Sequence, residues 1–200
     1  MKARYMAISL PPTFDENSPV WVPLTNSVLP IAADLGIPIA LMMGVERQWN
    51  PNLGQAGDGV GVAKIAPLRQ LAEMFPDARI WATVLSPQNE YEFAITCRKF
   101  GNITPFGGWW WRNSRALLPE IVRMRLSLLG CSWIGNNSDA RHWLQLPYKW
   151  ETTCQVFAEE LGHHYGMLRE ASKSQPIGNG VIANDLSRLF GSHWLNRQTL

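Results

Sequence analysis

The chain of 200 residues is poor in the side chains that build disulfide frameworks and metal sites: it has three cysteines and four histidines. An odd number of cysteines without Cys-x-x-Cys spacing argues against a disulfide scaffold or zinc knot, and for a reducing compartment. The histidines show no metal-site spacing. We expect His163, His164 and His193 to be surface or packing residues, whereas His142 lies beside polar residues of interest.

Long hydrophobic runs are also missing. The most apolar region, residues 28–45, is interrupted by two prolines, Asp34 and Gly36, whereas a membrane-spanning helix needs about 20 predominantly apolar residues. The apolar part of residues 1–12 is too short for a signal peptide. The sequence therefore predicts a cytoplasmic protein that does not interact with membranes.

The chain has little excess charge of either sign, because 18 basic and 16 acidic side chains give a net charge of +2. The basic residues are scattered, so no nucleic-acid-binding surface is indicated. Neither a Gly-x-x-x-x-Gly-Lys-Ser/Thr phosphate loop nor a Gly-x-Ser-x-Gly elbow occurs. Tryptophan, in contrast, is abundant, with ten residues, and its flat apolar faces suit sugar rings.

Apolar runs alternate with amphipathic segments along most of the chain. The predicted strands are 4–10, 37–43, 79–85, 102–107 and 131–134. The predicted helices are 24–35, 65–75, 88–100, 113–129, most of 141–169, and 181–190. This alternation predicts an α/β fold with parallel strands, as one domain over residues 1–200. Five strands fit an open sheet or part of a barrel, but not a closed eight-stranded barrel.

Polar side chains follow the predicted strands, at the edge where α/β barrels and open sheets bind ligands. They include one carboxylate, two arginines, several amides and an aromatic wall, which suit a hydroxylated anionic ligand. We predict that six of them contribute to a site: Arg47, Asn89, Trp109, Trp110, Asp139 and Arg141.

Two of these segments allow an alternative interpretation. Residues 44–61 form a long polar loop that is either functional or a solvated surface loop. In residues 131–141, a predicted strand runs into Asp139 and Arg141. Ser138 or Asp139 would instead serve as the cap of the next helix, since both side chains accept backbone N–H bonds.

Four segments carry a family resemblance in their order along the chain: MMGVERQWNPNLGQAGDGVG at 42–61, FGGWWWRN at 106–113, RMRLSLLGCSWIGNNSDAR at 123–141 and YKW at 148–150. With these segments the chain resembles the C-terminal half of uronate isomerases, which are glucuronate isomerase-like members of the amidohydrolase superfamily. The resemblance extends from about Tyr5 to Phe190.

The resemblance implies part of a (β/α)8 TIM-type barrel. It also implies an enzyme of carbohydrate metabolism that interconverts D-glucuronate and D-fructuronate, or D-galacturonate and D-tagaturonate, by proton transfer between C1 and C2. Asp139 would be a metal ligand and the proton-transfer base, Arg141 would hold the substrate, and Trp109 or Trp110 would line the pocket. An adjacent arginine favours the ionised carboxylate, which is the form that a base requires.

The chain also departs from the family pattern. The implied cofactor is a divalent metal, zinc or manganese, but the family's His-x-His ligand pair is absent from the sequence. Asn137 replaces a histidine, and Pro87 stands where many relatives have an arginine. These departures favour, as an alternative, a non-catalytic half-barrel that binds a sugar acid or pairs with another chain. Its partner would be a complementary N-terminal half or a second copy, since open sheet edges invite association.

Overall fold

The computed structural model describes residues 3–172 and 178–191. The chain divides into two compact units, with the boundary between Pro105 and Phe106. The prediction of one domain over residues 1–200 stays a prediction. His193 lies outside the described residues.

The first unit is built on a parallel sheet. Its four strands, which lie in the order β1-β2-β5-β6, are β1 Met6–Leu10, β2 Ile39–Met43, β5 Ile80–Val84 and β6 Ile103–Pro105. Leu10 pairs with Met43 and Met43 with Val84, so three strands end level with one another. Every residue of β5 is buried, as expected for a parallel strand that is covered on both faces. The predicted α/β class with parallel strands is confirmed.

Helices connect these strands. The first helical segment consists of α1 Trp21–Pro23, a π-helical turn Leu24–Val28 and α2 Leu29–Leu35; α3 is Ala66–Met74 and α4 is Glu90–Lys99. Gly36 ends α2 in the left-handed conformation, with φ of 59°, as a helix C-terminus favours. Leu68, Leu71 and Ala72 are buried on α3, as their spacing predicts.

The long polar segment 44–61 is ordered by a small antiparallel hairpin. Here β3 Val45–Glu46 pairs with β4 Gly59–Val60, and the 3-10 helix Pro51–Gly57 lies between them. A Cβ atom at Gly59 would lie 2.1 Å from the indole of Trp49. The position therefore needs glycine, because the indole packs directly on the backbone.

The second unit is mainly helical. It contains α5 Leu118–Leu129, α6 Leu146–Ser172 and α7 Asn179–Phe190, with 3-10 turns at Trp110–Arg112 and Trp143–Gln145. The three helices share a buried core that comprises Leu118, Ile121, Val122, Leu126, Trp133, Val156, Phe157, Leu161 and Leu189. In the described part of the chain, no helix is long and apolar enough to cross a membrane.

The strand predicted at 131–134 is wrong for most of its length. Cys131 lies in a turn after Gly130, and Ile134 alone forms a bridge, parallel to Phe106. The reason is the buried indole of Trp133, which enters the core and donates a hydrogen bond to the Gly130 carbonyl at 3.0 Å. Burial of this side chain in the helical core is compatible with a turn and not with a regular strand over residues 131–133.

Candidate active site

A loop rich in tryptophan, residues 107–113, forms one side of the candidate site; we call it the indole loop. Trp109 is buried, Trp110 is half-buried and Trp111 is exposed. Trp110 stacks on Trp111 with ring centroids 4.8 Å apart, and it lies at 6.3 Å from Trp109 with the rings tilted by 43°. The three indoles therefore form a continuous aromatic cluster, in which Trp109 is covered and Trp110 and Trp111 reach the surface.

The second loop, residues 136–141, is called the acid loop because it carries Asp139. The side chain of Asp139 is half-buried, while that of Arg141 is exposed. The backbone N–H of Arg141 donates to Oε1 of Gln145 at 2.9 Å. The carboxylate and the guanidinium thus differ in exposure, although they are two residues apart.

Direct contacts join the indole loop to the acid loop. Nδ2 of Asn113 donates to the carbonyl oxygens of Asn137 and Ser138, at 3.0 and 3.2 Å. Gly107, with φ of 41°, packs so closely that a Cβ atom there would lie 2.2 Å from the backbone nitrogen of Asn137. The structure therefore brings the loop of Trp109 and Trp110 against the loop of Asp139 and Arg141.

Helix α6 holds the acid loop from another direction. Nζ of Lys149 donates to the carbonyl oxygens of Ser138 and Asp139, at 2.6 and 2.9 Å. Hydrogen bonds from a charged donor are shorter and stronger than neutral ones. Lys149 thus places a positive charge beside the backbone of Asp139.

The helix-cap interpretation of Ser138 and Asp139 is wrong. The next helical segment begins with the 3-10 turn at Trp143, and its capping position is His142, whose side chain makes no capping bond. Within residues 3–172 and 178–191, neither the Ser138 hydroxyl nor the Asp139 carboxylate makes a hydrogen bond.

Backbone strain marks the predicted site. Among the described non-glycine residues, those with positive φ are Gln48 at 57°, Trp110 at 49° and Asp139 at 44°. Two of them are predicted site residues, and Gln48 adjoins a third, Arg47. Such conformations are unfavourable for L-residues and concentrate at functional sites, which supports the choice of these segments.

Burial and neighbouring charges act in opposite directions on the pKa of Asp139. Burial raises the pKa of the Asp139 carboxyl above its usual value, and it outweighs the charges of Lys149 and Arg141, which lower it. Arg141 lowers this pKa, as expected of an adjacent arginine, but burial has the larger effect. The reason is that Arg141 is exposed, so solvent screens its charge, whereas the carboxyl is partly removed from water.

Arg47 and Asn89 belong to the first unit, and both have structural partners there. Arg47 forms a salt bridge with the buried carboxylate of Asp58, which also accepts the N–H of Gln48 at 3.0 Å. The side-chain amide of Asn89 exchanges two hydrogen bonds with the backbone of Ala63, at 2.9 and 2.8 Å. The roles of Arg47 and Asn89 in substrate binding stay predictions.

The described residues do not fit a metal ion by themselves. Within them, no group of three or more His, Cys, Asp or Glu side chains comes together as a metal site would require, whereas catalytic zinc sites use three protein ligands. Asp139 offers a single carboxylate. His142 and His163 are exposed, and His164 is half-buried.

The sequence interpretation missed two residues of this site, Asn113 and Lys149. Both lie in segments that carry the family resemblance, FGGWWWRN and YKW. Their contacts are with backbone carbonyls of the acid loop, so residue type and spacing along the chain give no indication of them. The only indication in the sequence was that both residues lie within motifs of the family resemblance.

Comparison with solved structures identifies the class of protein first. The chain aligns with a uronate isomerase from Bacillus halodurans C-125 at 37% identity, with a TM-score of 0.89 over 96% of this chain and 45% of that chain. It also aligns with a uronate isomerase from Thermotoga maritima (15% identity, TM-score 0.77, covering 94% and 48%). A third match is glucuronate isomerase from Caulobacter crescentus (16% identity, TM-score 0.79, covering 99% and 48%). The fold is thus an α/β architecture that corresponds to half of a TIM-type barrel protein.

The first match is the most similar in sequence of the three. The predicted resemblance to uronate isomerases is confirmed, as a structural match to about half of that chain. The chain spans about half the length of these solved relatives. No protein-family model matches the chain, and no curated protein matches it.

Proposed function

We propose that this chain contributes the acid loop and the indole loop to a uronate isomerase of carbohydrate metabolism in the cytoplasm. The reaction is the aldose–ketose interconversion of D-glucuronate and D-fructuronate, or of D-galacturonate and D-tagaturonate. The observation that carries the proposal is the 37% identity to the Bacillus halodurans uronate isomerase over 96% of this chain. The contact between the two loops supports it.

The proposed roles follow from the chemistry of the side chains. Asp139 removes the proton at C2 of the aldose and returns a proton to C1, while the hydroxyl proton at O2 moves to O1. A carboxylate suits this transfer, because it gains and releases a proton without other bond changes. The Arg141 guanidinium pairs with the uronate carboxylate, for which its planar fork is suited. Trp109 or Trp110 supplies the apolar surface for the sugar ring, and the half-buried Trp110 is the more accessible of the two.

A divalent metal, zinc or manganese, belongs to the proposal only as a component that would polarise the carbonyl oxygen when bound. Asp139 would be one of its ligands. The described residues supply no further ligands in one group, and no step of the proposal is assigned to the metal.

The test is turnover by the purified full chain, assayed with D-glucuronate and D-galacturonate in the presence of zinc or manganese. We expect Asp139→Asn to lower kcat about 100-fold or more, as loss of a general base does. Arg141→Met should raise KM about 10-fold or more, because a charge-assisted hydrogen bond contributes roughly 1.5–3 kcal/mol. Asp77→Asn and Arg4→Met, which alter exposed side chains, are matched controls. Turnover that survives both site substitutions contradicts the assignment.

The second candidate is a non-catalytic half-barrel that binds a sugar acid or pairs with a complementary N-terminal half or a second copy. It is motivated by Asn137 and Pro87, which stand where the family pattern has a histidine and an arginine. Calorimetry with D-glucuronate separates the two candidates. Binding without turnover supports the second candidate, and rapid turnover by the isolated chain rejects it.

A further inference from the structure

Two side chains bind three consecutive carbonyl groups of the acid loop. Nδ2 of Asn113 donates to the carbonyls of Asn137 and Ser138. Nζ of Lys149 donates to those of Ser138 and Asp139. The Ser138 carbonyl therefore accepts from both side chains, with distances of 3.2 Å to Asn113 and 2.6 Å to Lys149. We call this arrangement the carbonyl clamp.

The backbone that the clamp holds is strained. Asp139 has φ of 44°, which is unfavourable for a residue with a Cβ atom, and such strain persists only when surrounding contacts hold it. Locally, the Asp139 N–H donates to Oδ1 of Asn137 at 3.3 Å, which is a long hydrogen bond. The clamp bonds at 2.6–3.2 Å are shorter, so they are the stronger restraint on this conformation.

The two clamp residues come from different elements, which gives the clamp a second consequence. Asn113 ends the indole loop, while Lys149 lies on α6. Gly107, at the other end of the indole loop, also packs on the backbone of Asn137. A displaced clamp would therefore change both the conformation of Asp139 and its distance from the tryptophans.

We propose that Asn113 and Lys149 are positioning residues for the sugar-acid site, where they set the direction of the Asp139 carboxylate relative to the indole loop. This inference rests on the proposed function for its ligand. The clamp acts through the backbone of the acid loop, so its loss lowers affinity for the sugar acid even though neither side chain is assigned to touch it.

The experiment compares variants of the full chain by two measurements. Calorimetry with D-glucuronate gives the dissociation constant, and NMR gives the Cα and amide shifts of Asp139, which report its backbone conformation without any ligand. Lys149→Met keeps the aliphatic stem but removes the donors, and Asn113→Ala removes the amide. Lys149→Arg restores a charged donor of two bonds, and Lys99→Met on the exposed end of α4 is the matched control.

We expect Lys149→Met and Asn113→Ala, which each remove two clamp bonds, to move the Asp139 shifts and to raise the dissociation constant on the order of 10-fold. Lys149→Arg should return the constant to within about threefold of the wild type, and Lys99→Met should leave it unchanged. If the two residues had a merely structural role, Lys149→Met and Asn113→Ala would lower the melting temperature, and Lys149→Arg would not restore the dissociation constant.

The outcomes separate this inference from the proposed function. Unchanged Asp139 shifts in both clamp variants overturn the inference, as do moved shifts with unchanged affinity. If the wild type binds no D-glucuronate, the proposed function is contradicted. The inference that Asn113 and Lys149 position a sugar-acid site is then contradicted as well. Moved Asp139 shifts then still identify the clamp as the determinant of the acid-loop conformation.

Discussion

The two units of the chain obtain their geometry in different ways. In the first unit, apolar runs form a parallel sheet of four strands, and the polar residues Arg47 and Asn89 have partners within the unit. In the second unit, one bridge at Ile134 replaces a strand, and bonds from side chains to carbonyls fix the acid loop. Regular strand pairing thus builds the scaffold, whereas individual polar contacts build the candidate site.

The largest effect is expected at Gly107, where the indole loop packs on the acid loop. Gly107→Ala should lower the free energy of unfolding by about 3 kcal/mol, because it adds both left-handed strain and a close contact with Asn137. Urea unfolding measures the change. Gly101→Ala is the matched control, since a Cβ atom there meets open space, and it should shift stability by less than about 0.5 kcal/mol.

The Gly107 variant also tests whether the indole loop and the acid loop approach each other closely. If Gly107→Ala is as well tolerated as Gly101→Ala, the close approach of the two loops is not a feature of the folded protein. The second unit would then not hold its candidate site by individual contacts between the two loops.

A smaller effect is expected at Asn89 in the first unit. Asn89→Ala should lower the free energy of unfolding by about 2 kcal/mol, because it leaves the N–H and carbonyl of the buried Ala63 without their partner. Urea unfolding again measures it, and Asn52→Ala, at an exposed position, is the control.

The same variant decides whether Asn89 also binds substrate. Lower stability with unchanged affinity for D-glucuronate assigns Asn89 to the scaffold alone. A loss of affinity of about 10-fold without a loss of stability would assign Asn89 to substrate binding. It would contradict the claim that Asn89 serves only the scaffold of the first unit.

Hydrophobic pattern was sufficient to predict most of the fold. The runs around Ile39–Met43 and Ile80–Val84 are strands, the glycine at 36 ends a helix, and the apolar spacing on α3 faces the core. The prediction of a strand at 131–134 was wrong because its apolar composition fits a strand and a buried turn equally well. Only the tertiary environment of Trp133 decides between them.

The candidate site was predicted through its conspicuous side chains, Asp139 and the tryptophans. Its supporting contacts were not, since hydrogen bonds from Asn113 and Lys149 to carbonyls depend on the path of the backbone. The effect of burial on the pKa of Asp139 was missed for the same reason. Neighbours in sequence indicate charge, but burial is a property of the folded chain.

The most direct test of the central claim, that the two loops form one sugar-acid site, is an NMR titration of the full chain with D-glucuronate. We predict that the indole N–H signals of Trp109 and Trp110 and the backbone amide of Asp139 shift together, with one dissociation constant for both loops. Shifts that saturate in one loop while the other stays unchanged, or that occur in neither loop, would contradict the account.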